Sequence, residues 1–253
     1  MFEVSLLHLC QNSMKKLMMK EKIIGKSREL FLKLGFKSIT MDDIAQEMCC
    51  SKKTIYKFFA NKEILVEKTI EDVQNEIHIN ISRILTNTEN AIAGNFEILA
   101  YFRDMFKSSE TSPVHQLKKH YPKIYAKVHE RQVNESKVWF IKNIQNGIDQ
   151  GFFRTNIEVE DYANFYYILI FQINENTVFE RDAAVLELKA LEYHIRAMAT
   201  PKGIIELEKQ LAQIPTNTMK KISLFVKFIL LSQFVRTQKD TPKTNRLSLD
   251  KAI

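Results

Sequence analysis

Residues 35–65 read GFKSITMDDIAQEMCCSKKTIYKFFANKEIL, and the order of caps and apolar positions in this stretch decides the fold. Gly35 stops a preceding helix, residues 20–34, whose apolar positions Ile23, Ile24, Leu30, Phe31 and Leu34 recur close to helical spacing. Thr40, followed three positions later by Asp43, is a capping-box-like start with Asp in place of the commoner Glu. The helix it opens is short, carries Ile44, Ala45 and Met48 on one face, and stops at Cys49-Cys50. Ser51 is the N-cap of a helix from Lys52 to Phe59, and Asn61 caps a third that begins at Lys62 and runs to about Ile84. Short helices joined by short connections, two of them across a tight turn, describe a helix-turn-helix unit.

Such a unit lays its second helix in the major groove of DNA, about 12 Å wide, with the helix N-terminus near base edges and phosphates. Ile55, Phe58 and Phe59 fall at i, i+3 and i+4 and face inward with Ile44, Met48 and Leu65. Lys52, Lys53, Thr54, Tyr56 and Lys57 are left outward. Lysines neutralise phosphates and release counterions, Thr54 offers a hydroxyl and a methyl group to a base edge, and Tyr56 suits a phosphate or a stacked base. The helix starts at Thr40, Ser51 and Asn61 add backbone N–H donors. The candidate DNA-binding set is Thr40, Ser51, Lys52, Lys53, Thr54, Tyr56, Lys57 and Lys62.

Gly35-Phe36, Thr40, Ile44-Ala45, Ser51, Thr54-Ile55-Tyr56, Phe58-Phe59 and Lys62-Glu63-Ile64-Leu65 together resemble the N-terminal DNA-binding domain of TetR-family transcriptional regulators. The resemblance implies an all-α homodimer that binds a pseudo-palindromic double-stranded operator. It also implies a divergent C-terminal helical bundle that holds a small-molecule effector and pairs with its copy through the last two long helices, here residues 159–179 and 183–199. The Gly151-Phe152-Phe153-Arg154 corner looks like the family's as well. The departure is at the turn, where Cys49-Cys50 stands for the family's usual Gly-Val; a non-glycine residue in a left-handed position costs about 1 kcal/mol.

Composition agrees with an all-helical chain: 253 residues hold only six glycines and five prolines, too few turn residues for a many-stranded sheet. Charge is divided along the chain. Residues 14–62 carry 12 Lys+Arg against 5 Asp+Glu, residues 63–213 carry 17 against 22, and residues 214–253 carry 8 against 2. A basic segment followed by a larger acidic one separates a part that meets a polyanion from a part with another task. The expected organisation is an N-terminal extension (1–19), the helix-turn-helix domain (20–66), a ligand-binding and dimerisation domain (67–213), and a basic tail (214–253). In the second part the expected helices cover residues 91–106, 112–131 with breaks at Pro113 and Pro122, 133–150, 159–179, 183–199 and 203–212.

Three cysteines without C-x-x-C spacing point to the reducing cytoplasm and to no disulfide scaffold. Cys49 and Cys50 admit a thiol-redox reading, because Lys52, Lys53 and a helix N-terminus favour thiolate; turn filling is the plainer one, since vicinal cysteines pair only through a strained ring. The six histidines form no compact metal set, and no enzymatic triad, phosphate-cradling loop or cofactor motif is present. Candidate pocket residues are Phe102, Met105, His115, Tyr121, Tyr125, Trp139, Asn143 and Tyr166. The tail from Met219, MKKISLFVKFILLSQFV, is interrupted by Lys227 and too short for a stable membrane span. Ile222, Phe225, Val226, Ile229 and Leu230 fit an amphipathic helix that docks on the bundle or lies on a membrane surface. A third origin is sequence fused from the start of a downstream exported protein. Residues 237–253 read as disordered.

Overall fold

The computed structural model describes residues 2–214. The tail helix and disordered end expected within 215–253 lie outside the described residues. Ten helices follow one another: α1 (Phe2–Leu34), α2 (Met41–Glu47), α3 (Lys52–Tyr56), α4 (Lys62–Asn87), α5 (Ala91–Phe106), α6 (Pro113–His120), α7 (Pro122–Asp149), α8 (Val159–Asn176), α9 (Glu180–Met198) and α10 (Pro201–Ala212). The protein is all-α, with an N-terminal helix-turn-helix followed by a helical bundle.

α1, α2, α3 and the start of α4 form a head around Ile23, Phe31, Phe36, Ile44, Ile55, Phe59, Leu65 and Val66, each at most 1% exposed. Ile24 and Phe58, expected inside, are only partly buried, and Leu34 at the end of α1 is 52% exposed. The recognition helix is shorter than the sequence suggests. After Tyr56 the N–H groups of Phe58 and Phe59 both turn to the Ile55 carbonyl, which lets Phe59 swing into the core. α1 starts at Phe2, so a helix runs through the expected boundary at residue 19. The boundary at 66/67 falls inside α4, which carries the head into the bundle as one continuous rod.

The head is not sealed off. Leu117 of α6 and Ile124 of α7 belong to its core, with Tyr121, Tyr125 and Val128 packed against it. Polar bonds fasten the same joint. Gly35 (φ +91) closes α1, and a Cβ there would stand 2.6 Å from Gln116 Oε1; only glycine lets α6 approach so closely. Gln116 Oε1 accepts from the Phe36 N–H at 3.0 Å, while its Nε2 donates to Thr111 Oγ1 at 2.7 Å. Ser109 Oγ donates to the Leu32 carbonyl at 2.6 Å.

In the bundle, the break expected between residues 131 and 133 is absent. α7 starts with Pro122 at its first turn and runs unbroken to Asp149, since no Gly or Pro lies near Gln132 to stop it. α8 stops at Asn176, short of Phe179, because the chain there pairs with a distant segment: Thr111 and Phe179 form an antiparallel bridge, Ser112 N–H donates to the Val178 carbonyl and Glu180 N–H to the Glu110 carbonyl. The Gly151–Arg154 corner buries Phe153 and is held by Arg154 N–H on the Met198 carbonyl at 2.9 Å.

Candidate nucleic-acid interface

The starts of α2, α3 and α4 are each satisfied by an N-cap side chain. Thr40 Oγ1 accepts from the Asp43 N–H at 3.2 Å and Asp43 Oδ2 accepts from the Thr40 N–H at 2.8 Å, the full capping box. The Thr40 N–H and the Thr40 hydroxyl, both donating to Asp43 Oδ2, hold the Asp43 carboxyl below its ordinary value. Ser51 Oγ accepts from the Thr54 N–H at 3.1 Å, and Asn61 Oδ1 from the Ile64 N–H at 2.9 Å.

The turn between α2 and α3 is a Schellman ending. Cys49 N–H donates to the Gln46 carbonyl and Cys50 N–H to the Ala45 carbonyl, with Cys49 at φ +50 in the left-handed region. It is the one non-glycine residue with positive φ among the described residues. Cys50 takes the position whose side chain folds back on the helix and packs against the head core, whereas Cys49 is exposed. The glycine-favouring position at the turn is thus real, and a thiol occupies it.

Lys52, Lys53, Tyr56 and Lys57 are exposed on α3, with Thr54 half-buried between them. Lys52 is held in place by Asp42 Oδ2 at 2.7 Å, which raises its pKa, and lies 5.9 Å from the Tyr56 ring centroid. Both partners of that pair are open to solvent, so a phosphate can replace the carboxylate easily. Thr54 Oγ1 shares a hydrogen bond of 2.9 Å with Ser51 Oγ, so part of its hydroxyl capacity is already spent on the cap. Lys62, the last of the candidate set, is half-buried: its Nζ donates to the Lys37 carbonyl at 3.2 Å, and burial pulls its pKa down against the pull of Asp43.

The eight candidate pocket residues do not gather around one space. Phe102, Met105 and Trp139 pack on Val73, Ile77 and Ile81. Tyr121 and Tyr125 pack against the head core, and burial pushes the Tyr121 phenol up. Asn143 is spent in a buried amide pair, accepting from Asn95 at 2.8 Å and donating to the Ala91 carbonyl at 2.9 Å. His115 Nδ1 lies 3.1 Å from the Glu175 carbonyl, and Tyr166 stacks on His194 with ring centroids 4.2 Å apart. Each helix shows inward residues to a different neighbour, and one helix's spacing does not say which. Sequence reading missed Gln116, whose partners lie on another helix, and the buried acids Glu180 and Glu187; neither has a local pattern.

The capped short helices, the left-handed turn and the exposed basic α3 define a helix-turn-helix DNA-binding protein. Residues 23–69 match the model of bacterial regulatory proteins of the tetR family. It is 30% identical over 89 residues, 35% of this chain and 44% of the relative, to the biofilm operon icaADBC HTH-type negative transcriptional regulator IcaR of Staphylococcus epidermidis. The chain thus matches under half of that relative's length. A transcriptional regulator from Cytophaga hutchinsonii superposes with a TM-score of 0.58 at 22% identity, covering 71% of this chain and 98% of that one. SmeT, the repressor of the Stenotrophomonas maltophilia multidrug efflux pump SmeDEF, superposes with a TM-score of 0.53 at 12% identity over 72% of this chain and 91% of its own. The two superpositions extend the likeness of fold from the head to the bundle. No helix among the described residues is long and apolar enough to cross a membrane.

Proposed function

We propose that the chain is a cytoplasmic transcriptional repressor that binds a pseudo-palindromic duplex operator as a homodimer and is released by a small molecule bound in the helical body. The observation that carries this reading is the exposed row Lys52, Lys53, Tyr56 and Lys57 on a capped helix of a helix-turn-helix head. The word "negative" in the description of IcaR favours repression. The organisation expected from sequence (1–19, 20–66, 67–213, 214–253) is kept as part of the proposal. The candidate DNA-binding set is kept too, with Lys62 ranked below the α3 lysines.

Dimerisation through α8 and α9 is supported by what a single chain leaves open. Phe165 is 64% exposed, Ile168 54% and Tyr193 71%, an apolar surface that a second copy would bury. Half-sites one helical turn or so apart then match the two heads, and a change in their spacing uncouples them.

Fluorescence anisotropy on duplexes from the region upstream of its own gene, over a series of salt concentrations, tests the reading. The expected result is dimeric protein with log affinity falling linearly with log salt. Lys53→Ala lowers that slope by about one unit, and Thr54 substitutions change the preference among duplexes. A monomer without salt-dependent duplex affinity overturns the proposal. The exposed Cys49 thiol at the turn favours a second reading, in which thiol oxidation is the releasing signal.

A further inference from the structure

Buried carboxylates are ordinarily paired with a cation or saturated with N–H donors, and Glu180 on α9 is not. Glu180 is 9% exposed, and its Oε2 is fully buried without a hydrogen-bond partner. Glu187, seven residues on and therefore on the same face, accepts one bond from Asn174 Nδ2 at 2.7 Å. Burial pushes the Glu180 carboxyl up to about 7, with the Glu187 charge adding to it. Burial likewise pushes Glu187 up, against the Asn174 bond. No Lys, Arg or His acts on either group. From α8, Tyr166 and Asn174 adjoin the pair; His194, one further heptad along α9, stacks on Tyr166 and burial holds it neutral, pulled down to about 3.

Glu180 lies where the bundle is pinned to the segment that leads into α6. Glu180 directly follows the Thr111–Phe179 bridge, and its own N–H donates to the Glu110 carbonyl. Thr111 Oγ1 in turn accepts from Gln116, the residue that holds the Phe36 N–H of the head. The Phe179 ring is 45% exposed at the bridge and already carries the Arg181 guanidinium 5.8 Å from its centroid. An aromatic ring that accepts a cation thus directly precedes, in the chain, a buried carboxyl that lacks one.

We propose that Glu180 and Glu187 form the anionic half of a binding site for an organic cation, a protonated or quaternary amine, that enters by parting the Thr111–Phe179 bridge. The inference rests on the ligand-responsive reading above and names the charge class of its ligand. Three side chains supply the recognition: Glu180 Oε2 takes the positive charge, Glu187 adds to the field, and the Phe179 ring covers the outer side. Parting the bridge moves Thr111, and with it the Gln116 bond to the turn between α1 and α2, so occupancy is felt in the head.

The test titrates the full chain with tetramethylammonium, with benzyltrimethylammonium and with neopentylbenzene, the neutral carbon isostere of the latter. Calorimetry is run at pH 8 and pH 6 on the wild type and on Glu180→Gln. At least one ammonium binds saturably at pH 8. Its affinity drops roughly tenfold at pH 6, where a proton competes for a carboxyl of midpoint about 7, and at least tenfold in Glu180→Gln. Neopentylbenzene shows neither dependence. Absence of saturable binding by both ammonium ions at pH 8, or equal affinity in Glu180→Gln, overturns the proposal. Duplex affinity measured on the same samples separates the two readings. Glu180-dependent cation binding that leaves duplex affinity unchanged keeps the site and removes the ligand-responsive reading. Failed cation binding beside intact salt-dependent duplex affinity removes the site and keeps the DNA-binding reading.

Discussion

The head and the α8–α9 layer are built to opposite standards. In the head, α2, α3 and α4 all begin with a side-chain cap, and the core is a continuous apolar cluster completed by Leu117 of α6 and Ile124 of α7. In the α8–α9 layer neither helix has a side-chain cap, the Glu180 carboxyl is buried without a cation, and Phe165, Ile168 and Tyr193 stand in solvent. The contrast shows where the molecule is finished and where it waits for something else: the head is complete as a scaffold and presents its function on the surface, whereas the layer leaves both its outer face and an inner charge unmatched.

Truncating one aromatic on each side tests this contrast most severely. Phe59 is 1% exposed in the head core, so Phe59→Ala removes a packed ring and leaves a cavity, at a cost of about 3–5 kcal/mol. Thermal melting should fall steeply and duplex binding should vanish with it. Phe165→Ala removes a ring that is 64% exposed, so it should change the stability of the isolated chain by about 0.5 kcal/mol or less. Sedimentation should instead show weakened self-association. Equal destabilisation by the two changes would erase the distinction.

The second test is the pH dependence of stability, read from melting between pH 4 and pH 9. Glu180 has a folded pKa raised from 4.5 to about 7, so its contribution is intact below 4.5 and is lost as pH rises to 7, on the order of 3 kcal/mol in all. His194 has a folded pKa lowered from 6.5 to about 3, so its contribution is intact above 6.5 and is lost as pH falls towards 3. The two slopes oppose each other between about 4.5 and 6.5 and give a plateau there. Above the plateau the loss from the raised acids Glu180 and Glu187 is no longer opposed by His194, and Glu180→Gln should remove the Glu180 part of it, so that the variant melts higher than the wild type at pH 8. A head-only pH dependence, unchanged in that variant, would mean that the buried acid carries no such penalty.

The joint between the two regions gives the third. Gln116→Ala strips the Phe36 N–H of its acceptor in a buried place, at a cost of about 1–3 kcal/mol. Because the bond spans head and α6, hydrogen exchange at Phe36 should accelerate more than exchange in α8 or α9. This joint also marks the limit of sequence reading. Thr40 with Asp43, Ser51 with Thr54 and Asn61 with Ile64 were legible because each cap and its partner lie three residues apart. Gln116 and Phe36 are 80 residues apart, and nothing in either stretch announces the other. The same reason scattered the expected pocket: helical spacing shows that Asn143, Tyr166 and Trp139 turn inward, but the neighbour each one meets is set by the arrangement of whole helices. The end of α8 was misplaced because a bridge to Thr111, not a local stop signal, terminates it.

The smallest expected effect lies at the turn between α2 and α3, where Cys49 takes a left-handed position that favours glycine. Cys49 holds φ +50 with an exposed side chain that makes no packing contact with the core, so Cys49→Gly relieves a left-handed residue and loses little else. The gain from unstrained backbone, about 1 kcal/mol, is partly offset by the greater freedom of glycine in the unfolded chain, so the net stabilisation should be about 0.5 kcal/mol or less. The Schellman bonds from Cys49 and Cys50 to Gln46 and Ala45 are backbone bonds and survive the change, so duplex affinity should stay within twofold of the wild type. The variant also divides the two readings of the thiol. If treatment with hydrogen peroxide releases the wild-type protein from its duplex and spares Cys49→Gly, the strained cysteine is a sensor held where oxidation would disturb α3. If both proteins respond alike, Cys49 is tolerated strain in a turn that would be steadier with glycine.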